Sequence, residues 1–583
     1  MIVVHVTHEA VEKVGGIGAV IAGLMTTDAY AERVSGTILL GPLLQTDGPV
    51  DRRLGDGGQV IYSLLDALEP SGWREKFRPI ERTYDVGIVY GTRRIRDPYT
   101  GRSAEAQVLL VDVFHFNSER LNLFKAELYR KFAVPSDRFE NTWEFEQYIR
   151  LAEPGYEALK AIGCNTADEQ VVILAHEYMG IPTALKAVLA GQPGTRTVFY
   201  AHEVASVREI IENTPGHDTM FYNVLERAAP DGRTIEQVFP RVLANFKHPL
   251  VKAARYCDHV FAVGDYIVAE LGFLDPHFRR MEIDLVYNGV PAPPLTLAEK
   301  QASRQRMKAY AENLLGRRPT WVFTHVARPV LSKAIWRDLH VLHQMEPLLA
   351  ERGETAVYFL LCTLVGQRRP QDIRLMERLY GWPVRHERGY PDLCNGEEIL
   401  GEMFTAFEAD HPAIWPVLVN QWDWNRAVCG ERMPEDMTFT DIRRGTDFEF
   451  GLSVYEPFGI SQFEPLYSGA LCAVSNVCGC MAFARKAAAG KPCDDNILEG
   501  SFLDVPDSMS TEELLGMTIP QRDAIESPEA RRLAELVVEK LPRDDQTLAR
   551  RIASGHELAN SMSWDRVVQE FFLPALSRVT SVR

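Results

Sequence analysis

The chain has 583 residues, 46% of them apolar and 25% charged, a length that calls for two or more domains and a composition typical of folded globular proteins. Its 63 Lys and Arg stand against 80 Asp and Glu, and the formal charge of −17 excludes a general nucleic-acid or anionic-membrane surface, leaving room only for a local basic pocket. No apolar run reaches bilayer-spanning length, and nine cysteines at scattered spacing speak for a reducing, cytoplasmic setting rather than a disulfide framework.

The opening MIVVHV reads as a buried strand, and MIVVHVTHEA lacks the basic start and cleavage site of a secretory leader. EKVGGIGAVIAGL follows, with Lys13, Gly15, Gly16 and Gly18 at the start of a helical pattern. Glycines there let backbone amides approach an anion at the positive end of a helix. A tight turn needing positive φ explains them equally well, and the spacing is neither a Walker loop nor a dinucleotide fingerprint. QVVILAHE, RTVFYAHE, DHVFAVG and EIDLVYNG supply further strands. Two of them end in His-Glu dipeptides, which place His176, Glu177, His202 and Glu203 at the rim of the first sheet. Adjacent strand residues point to opposite faces and no HExxH occurs, so these groups fit a substrate pocket better than a metal site. Asn213 to Asn245 is long, polar and irregular, and reads as an insertion.

The prolines of NGVPAPPLTLAEK, from Asn288 to Lys300, mark an extended linker. Beyond it, AEKQASRQRMKAYAENLL resumes a polar helical pattern, and PTWVFTHVAR, AVYFLLCTLV, FEFGLSVYEP and ALCAVSNV are strands. In THVARPVLSKAIWRD, Arg328 and Lys333 follow a strand end in an otherwise acidic chain. They suit a diphosphate, the Arg bidentately and the Lys as a point charge, or are two solvated surface bases. Met403 to Asp447 reads as a second insertion; its Trp415, Trp422 and Trp424 pack in a core or stack on sugar rings. In VYEPFGISQFEPLYSGAL, Glu456 and Glu464 lie eight positions apart around Gly459. The pattern places Glu456 at a strand end and Glu464 one turn into a helix that begins near Ile460, where free amides would meet a phosphate. The alternative is a helix-capping Glu464 and a surface Glu456. The turn SNVCGC, with Gly479, closes a strand end on the same side; Cys472, Cys478 and Cys480 lack a paired CxxC pattern and read as packing residues. No Asp-x-Asp occurs, so a carboxylate pair for a divalent cation is missing. The last segment, SWDRVVQEFFLPALSRV, is amphipathic and interrupted at Pro574.

Strands alternating with helices imply an α/β protein of parallel sheets. The reading is two Rossmann-like domains, residues 1–293 and 294–562, with 563–583 as a terminal helix packing back toward the first. Ligands of such sheets bind beyond the carboxyl ends of the strands, which puts the site in a cleft between the domains.

Taken in order, these segments resemble the glycogen/starch synthase family of retaining glycosyltransferases with a GT-B fold. KVGGIG resembles the family's Lys-x-Gly-Gly loop, Arg328 with Lys333 its donor-diphosphate pair, and Glu456, Pro457, Gly459 and Glu464 its Glu-x7-Glu motif. FKHPLVKAARYCDHVFAVGDYIVAEL and VYNGV resemble segments before its interdomain linker. HEAVEKVGGIGAVI and DIRRGTDFEFGLSVYEPFG look closer to the animal and fungal branch, ARPVLSK and the length to the bacterial and plant branch. Ala19 in place of an Asp, NGVP after the last strand and Cys478 in place of a glycine depart from the pattern and bear on donor and acceptor specificity.

The resemblance implies transfer of α-glucose from ADP-glucose or UDP-glucose to the non-reducing end of an α-1,4-glucan, with retention and without a metal or prosthetic group. It implies catalytic roles for Glu456, His202, Arg328 and Lys333. Lys13, Gly15, Gly16, Gly459, Ser461 and Glu464 would bind the donor, with Glu464 on the ribose. Glu177 and Asn288 would line the acceptor or sugar pocket. Its partners are a nucleotide-glucose donor and an α-glucan, with no nucleic acid or membrane and with room for a homo-oligomer. The alternatives are a GT-B transferase acting on a small sugar and a non-catalytic glucan-binding paralogue; no pyridoxal-lysine signature supports a phosphorylase.

Overall fold

The computed structural model describes residues 1–11, 15–55, 57–164, 170–490 and 495–581. The chain divides into two units, each built on its own sheet.

The first unit comprises Met1–Ile210, Leu225–Gly289 and Trp564–Arg583. Its strands are β1 (Ile2–Val6), β2 (Gly36–Leu43), β3 (Gly58–Ser63), β4 (Ile88–Arg96), β5 (Ser103–Asp112), β6 (Val171–His176), β7 (Thr195–Ala201), β8 (His259–Ala262) and β9 (Ile283–Leu285). They lie in the order β3-β4-β5-β2-β1-β6-β7-β8-β9. The opening strand is thus central, with Ile2 opposite Gly36 on one side and Val171 on the other, which is why it reads as unbroken apolar sequence. Val4, Val6, Ile38, Leu40, Leu109 and Ile173 form a core with Leu151 and Tyr156 of the helix Trp143–Ala161.

The parallel expectation has one exception. β4 runs antiparallel to both β3 and β5. The turn between β4 and β5 is closed by Asp97 N–H to the Arg102 carbonyl at 2.9 Å, a connection short enough only for antiparallel neighbours.

The terminal segment packs within this unit. A Cβ on Gly23 would lie 2.1 Å from Trp564 Cε2, and one on Gly289 2.5 Å from Trp564 Cδ2, so both positions require glycine. Arg578 Nε donates to Asp284 Oδ1 at 2.9 Å. Pro574 lies inside an unbroken helical run from Trp564 to Ser581, directly after a π-helical turn, Val568–Phe572, and that wider turn accommodates its ring and missing amide.

The second unit comprises Ile211–Val224 and Val290–Ser563. Its six strands are all parallel: β10 (Trp321–Val326), β11 (Ala356–Leu361), β12 (Ile414–Val419), β13 (Phe448–Gly451), β14 (Leu471–Ser475) and β15 (Ile497–Gly500), in the order β12-β11-β10-β13-β14-β15. Side chains alternate between two cores. Phe323 and Tyr358 face one, Val322 and Phe359 the other, so both faces of the sheet are dry. The first helix, Leu297–Leu315, starts at a capping box formed by Thr296 and Glu299.

Neither apparent insertion is peripheral. Met403 to Asp447 contains β12, whose six residues are all buried, and Trp424 is buried edge-on against Tyr310 and Phe359 at 5.5 and 5.4 Å. Trp415 is core as well, and only Trp422 is exposed. Within Asn213 to Asn245, Asp218 is fully buried and its Oδ1 lies 2.7 Å from Arg337 Nη2, which explains why residues 211–224 belong to the second unit. Polar residues that are paired inside a core look like loop residues in a sequence. No helix among the described residues is long and apolar enough to cross a membrane.

Candidate functional site

In the second unit the site-forming turns follow the carboxyl ends of the neighbouring strands β10 and β13. After β10 the chain makes a 3-10 turn, Leu331–Lys333, and leaves it through Ala334 at φ +49°. The Ser332 carbonyl accepts the Val454 amide at 2.9 Å, which ties this turn to the segment after β13. Lys333 Nζ there forms an ion pair with Glu456 Oε2, and Gln462 Nε2 donates to the same oxygen at 3.1 Å.

Glu456 does not end its strand, because β13 stops at Gly451; it sits in the following loop. That loop is held by a different helix from the one expected. The Gly479 and Cys480 amides at the start of the helix Gly479–Ala487 donate to the Glu456 and Phe458 carbonyls at 3.1 and 2.9 Å. A Cβ on Gly479 would fall 1.9 Å from the Pro457 carbonyl oxygen. Gly459 has φ +95°, and a Cβ there would lie 2.3 Å from Gln462 Oε1. The helix after Gly459 spans only Ile460–Phe463, so Glu464 stands at its end rather than one turn inside. Pro465, which has no amide to continue a helix, follows directly. So short a helix has little aligned dipole to offer a phosphate.

Glu464 has its own cation. Arg443 Nε lies 3.2 Å from Glu464 Oε2 and Arg443 Nη1 3.0 Å from Glu449 Oε1, and the same guanidinium donates to the Ser461 carbonyl. Arg443 is wholly buried. Burial pushes the Glu449 carboxyl up against the opposing pull of Arg443. Glu456 and Glu464 are therefore two carboxylates anchored by two separate bases, Lys333 and Arg443. Arg328, between β10 and the turn that carries Lys333, is exposed and has no ion pair among the described residues. Arg443 was not singled out in the sequence; its signal is the basic pair in DIRRG just ahead of β13.

In the first unit, Lys13 lies outside the described residues. Gly15 and Gly16 precede and begin the helix Gly16–Met25, but its first turn already holds a carboxylate. Gly18 N–H donates to Glu9 Oε2 at 2.8 Å, and a Cβ on Gly15 would come within 2.9 Å of Glu9 Oε1. Glu9, buried and unnoticed in the sequence, thus occupies an amide that the loop would otherwise offer to an anion.

The two His-Glu dipeptides do meet. His176 ends β6, and Glu177 begins the helix Glu177–Ala190 with φ +57°. Glu177 is only 5% exposed, and neither of its carboxylate oxygens has a well-formed hydrogen bond among the described residues. Burial, reinforced by the nearby Glu203 charge, raises its carboxyl well above the ordinary range; Arg208 and the backbone of Glu203 and His202 pull weakly the other way. His202 Nε2 lies 2.8 Å from His176 Nδ1 with the rings stacked at 5.0 Å, and burial drives His202 down to about 3, keeping it neutral. Glu203 is paired with Arg208 at 2.5 Å. Asn288 is buried and its Oδ1 has no hydrogen-bond partner among the described residues.

His340, Asp523 and Glu526 have ligand atoms within 4.8 Å of one another, but Glu526 is already committed to Arg337 Nη2 at 2.5 Å. The eight cysteines among the described residues form no disulfide.

No known family model and no curated protein sequence matches the chain. Solved structures do. The catalytic domain of starch synthase IV from Arabidopsis thaliana, bound to ADP and acarbose, superposes with a TM-score of 0.55 at 14% identity, covering 100% of this chain and 99% of that one. An apo structure of OtsA superposes with a TM-score of 0.50 at 13% identity, with the same coverage of 100% and 99%. With two predominantly parallel α/β units and this likeness over its full length, the chain has the two-domain GT-B fold.

Proposed function

We propose that the protein is a retaining glucosyltransferase that moves α-glucose from ADP-glucose or UDP-glucose to the non-reducing end of an α-1,4-glucan, without a metal or prosthetic group, in the cytoplasm. The observation that carries this reading is the Lys333–Glu456 pair beyond the ends of β10 and β13, with Arg328 exposed between β10 and the turn that carries Lys333. Open parallel sheets bind ligands at such strand ends. The starch synthase domain with the same fold was solved with ADP, in keeping with a nucleoside-diphosphate leaving group.

The chemistry follows from charge. As the bond from C1 of glucose to the diphosphate oxygen breaks, negative charge grows on the diphosphate and positive charge on the sugar. Arg328 meets two phosphate oxygens and Lys333 a third, in place of a metal ion. Drawing Lys333 toward phosphate bares the Glu456 carboxylate, which faces the electron-poor sugar. Glu464, steadied by Arg443, accepts from the ribose hydroxyls, and Ser461 and Gly459 shape the turn beneath the nucleotide. The acceptor hydroxyl oxygen bonds to C1 on the face the diphosphate leaves, and its proton passes to the departing phosphate oxygen. Configuration is retained. Neutral His202 orients the sugar, and Glu177 and Asn288, whose buried oxygens lack well-formed hydrogen bonds among the described residues, take acceptor hydroxyls.

Removing one preorganised donor to a developing charge costs about 3–4 kcal/mol, roughly 10²–10³-fold in rate. Arg328→Ala and Glu456→Ala, each verified as folded by circular dichroism, should lose transfer from radiolabelled nucleotide-glucose by that factor. Undiminished activity in either variant breaks the assignment. Sizing the product made with and without glycogen fixes the acceptor: lengthened glucan supports the proposal, and a labelled disaccharide reassigns the enzyme to a small sugar.

A further inference from the structure

Behind His202 the polar groups of the first unit form one unbroken line. His176 Nε2 lies 2.9 Å from His5 Nδ1, His5 Nε2 3.4 Å from the Tyr30 hydroxyl, and that hydroxyl 3.0 Å from Thr37 Oγ1. With the 2.8 Å contact between His176 and His202, the line crosses four adjacent strands: Thr37 on β2, His5 on β1, His176 on β6 and His202 just past β7. Tyr30 reaches in from the helix Asp28–Arg33. The three imidazoles stack in sequence, with centroids 5.1 and 5.0 Å apart.

Such a line has a definite proton count. Burial pushes His5 and His202 down to about 3 and His176 well below its ordinary value, so each ring carries one proton at neutral pH. Each nitrogen–nitrogen contact needs one proton between its two atoms, so all three rings must point the same way. The end of the line selects the direction. Thr37 is buried, and Tyr30 is the only partner of its hydroxyl among the described residues. If Thr37 donates to Tyr30, Tyr30 donates to His5 Nε2, His5 Nδ1–H to His176 Nε2 and His176 Nδ1–H to His202 Nε2. Every proton from Thr37 to the His176–His202 contact then has an acceptor, and the last one, on Nδ1 of the half-buried His202, remains for solvent or substrate. In the opposite order the Thr37 proton is left buried without one, the arrangement that folded proteins avoid.

We propose that this line locks the tautomer of His202, holding its proton on Nδ1 as a donor while Nε2 accepts from His176. Thr37, Tyr30, His5 and His176 are positioning residues that act through His202. The proton order stands whatever His202 binds. Its use, donation from Nδ1 to an oxygen of the sugar, rests on the function proposed above.

Nitrogen-15 spectra of the full, ligand-free chain labelled at histidine distinguish protonated from bare ring nitrogens. His5, His176 and His202, assigned by single substitutions, should each show a protonated Nδ1 and a bare Nε2; an Nε2–H form at any of the three overturns the proposal. Tyr30→Phe removes the donor that orders the line and should shift the His202 signals toward a mixture of tautomers, although Tyr30 does not touch His202. Unchanged His202 signals in that variant also overturn it. With half of the molecules in the wrong tautomer, kcat/KM for nucleotide-glucose should fall about twofold. Spectra as stated with no turnover of nucleotide-glucose would count against the function alone and leave the lock in place.

Discussion

At Glu177 an uncommon backbone and a buried carboxyl coincide. Its φ of +57° is one that non-glycine residues adopt at a cost of about 1–3 kcal/mol, and both of its oxygens are buried without a well-formed hydrogen bond among the described residues. An unfolded glutamate ionises near ~4.3. The folded protein holds this proton to higher pH, so above that value the folded state binds more protons than the unfolded one. The site's contribution to stability therefore falls as pH rises. Glu177→Gln cannot ionise, and its melting temperature should gain on the wild type between pH 4 and pH 8; a difference that does not vary with pH contradicts the burial argument. Glu177 was legible in the sequence because a carboxylate at a strand end is visible in one dimension, and Glu456 because it stands beside the Pro-Phe-Gly junction that turns the chain. Arg443 and Glu9 were not, since what marks them is the group each one touches from 21 and 9 residues away.

Among elements, the short helical stretch around Asp218 depends on one buried guanidinium. Arg337 Nη2 is 2.7 Å from Asp218 Oδ1, its Nε 3.0 Å from Glu526 Oε1, and its Nη1 donates to the Leu452 carbonyl at 3.2 Å. Burial still raises Asp218 to about 6 despite this pairing. Arg337→Met strands two buried carboxylates, and urea unfolding should show a loss of about 3–5 kcal/mol. A loss under ~1 kcal/mol would mean that the network is solvated. The strands buried on both faces could be read from the sequence as unbroken apolar runs. β4 and β5 could not, because Thr92, Arg93, Arg94 and Arg96 interrupt the apolar run of β4 along a hairpin that is partly exposed. β12 was hidden by its polar flanks. Register and strand direction follow from tertiary pairing, which periodicity does not encode.

For the whole molecule, the sequence reading held the two-unit plan, the linker near Asn288 and a terminal helix returning toward the first unit, but not the membership of Ile211–Val224 in the second unit. Any ligand that binds only the folded state raises its stability, by about 2.7 kcal/mol at 100 times Kd. ADP and UDP should therefore both be tried in thermal melts. The one giving the larger shift identifies the donor nucleotide, and Arg328→Ala should abolish most of that shift. Equal melting with and without either nucleotide would remove the donor assignment. The wedge of Trp564 between Gly23 and Gly289 has a consequence for biosynthesis. A seam within the body made first is sealed by a side chain translated long after it. On the ribosome the amino-terminal sheet must wait, unfinished and sticky, until Trp564 clears the exit tunnel, so chaperone dependence should persist up to that point of elongation.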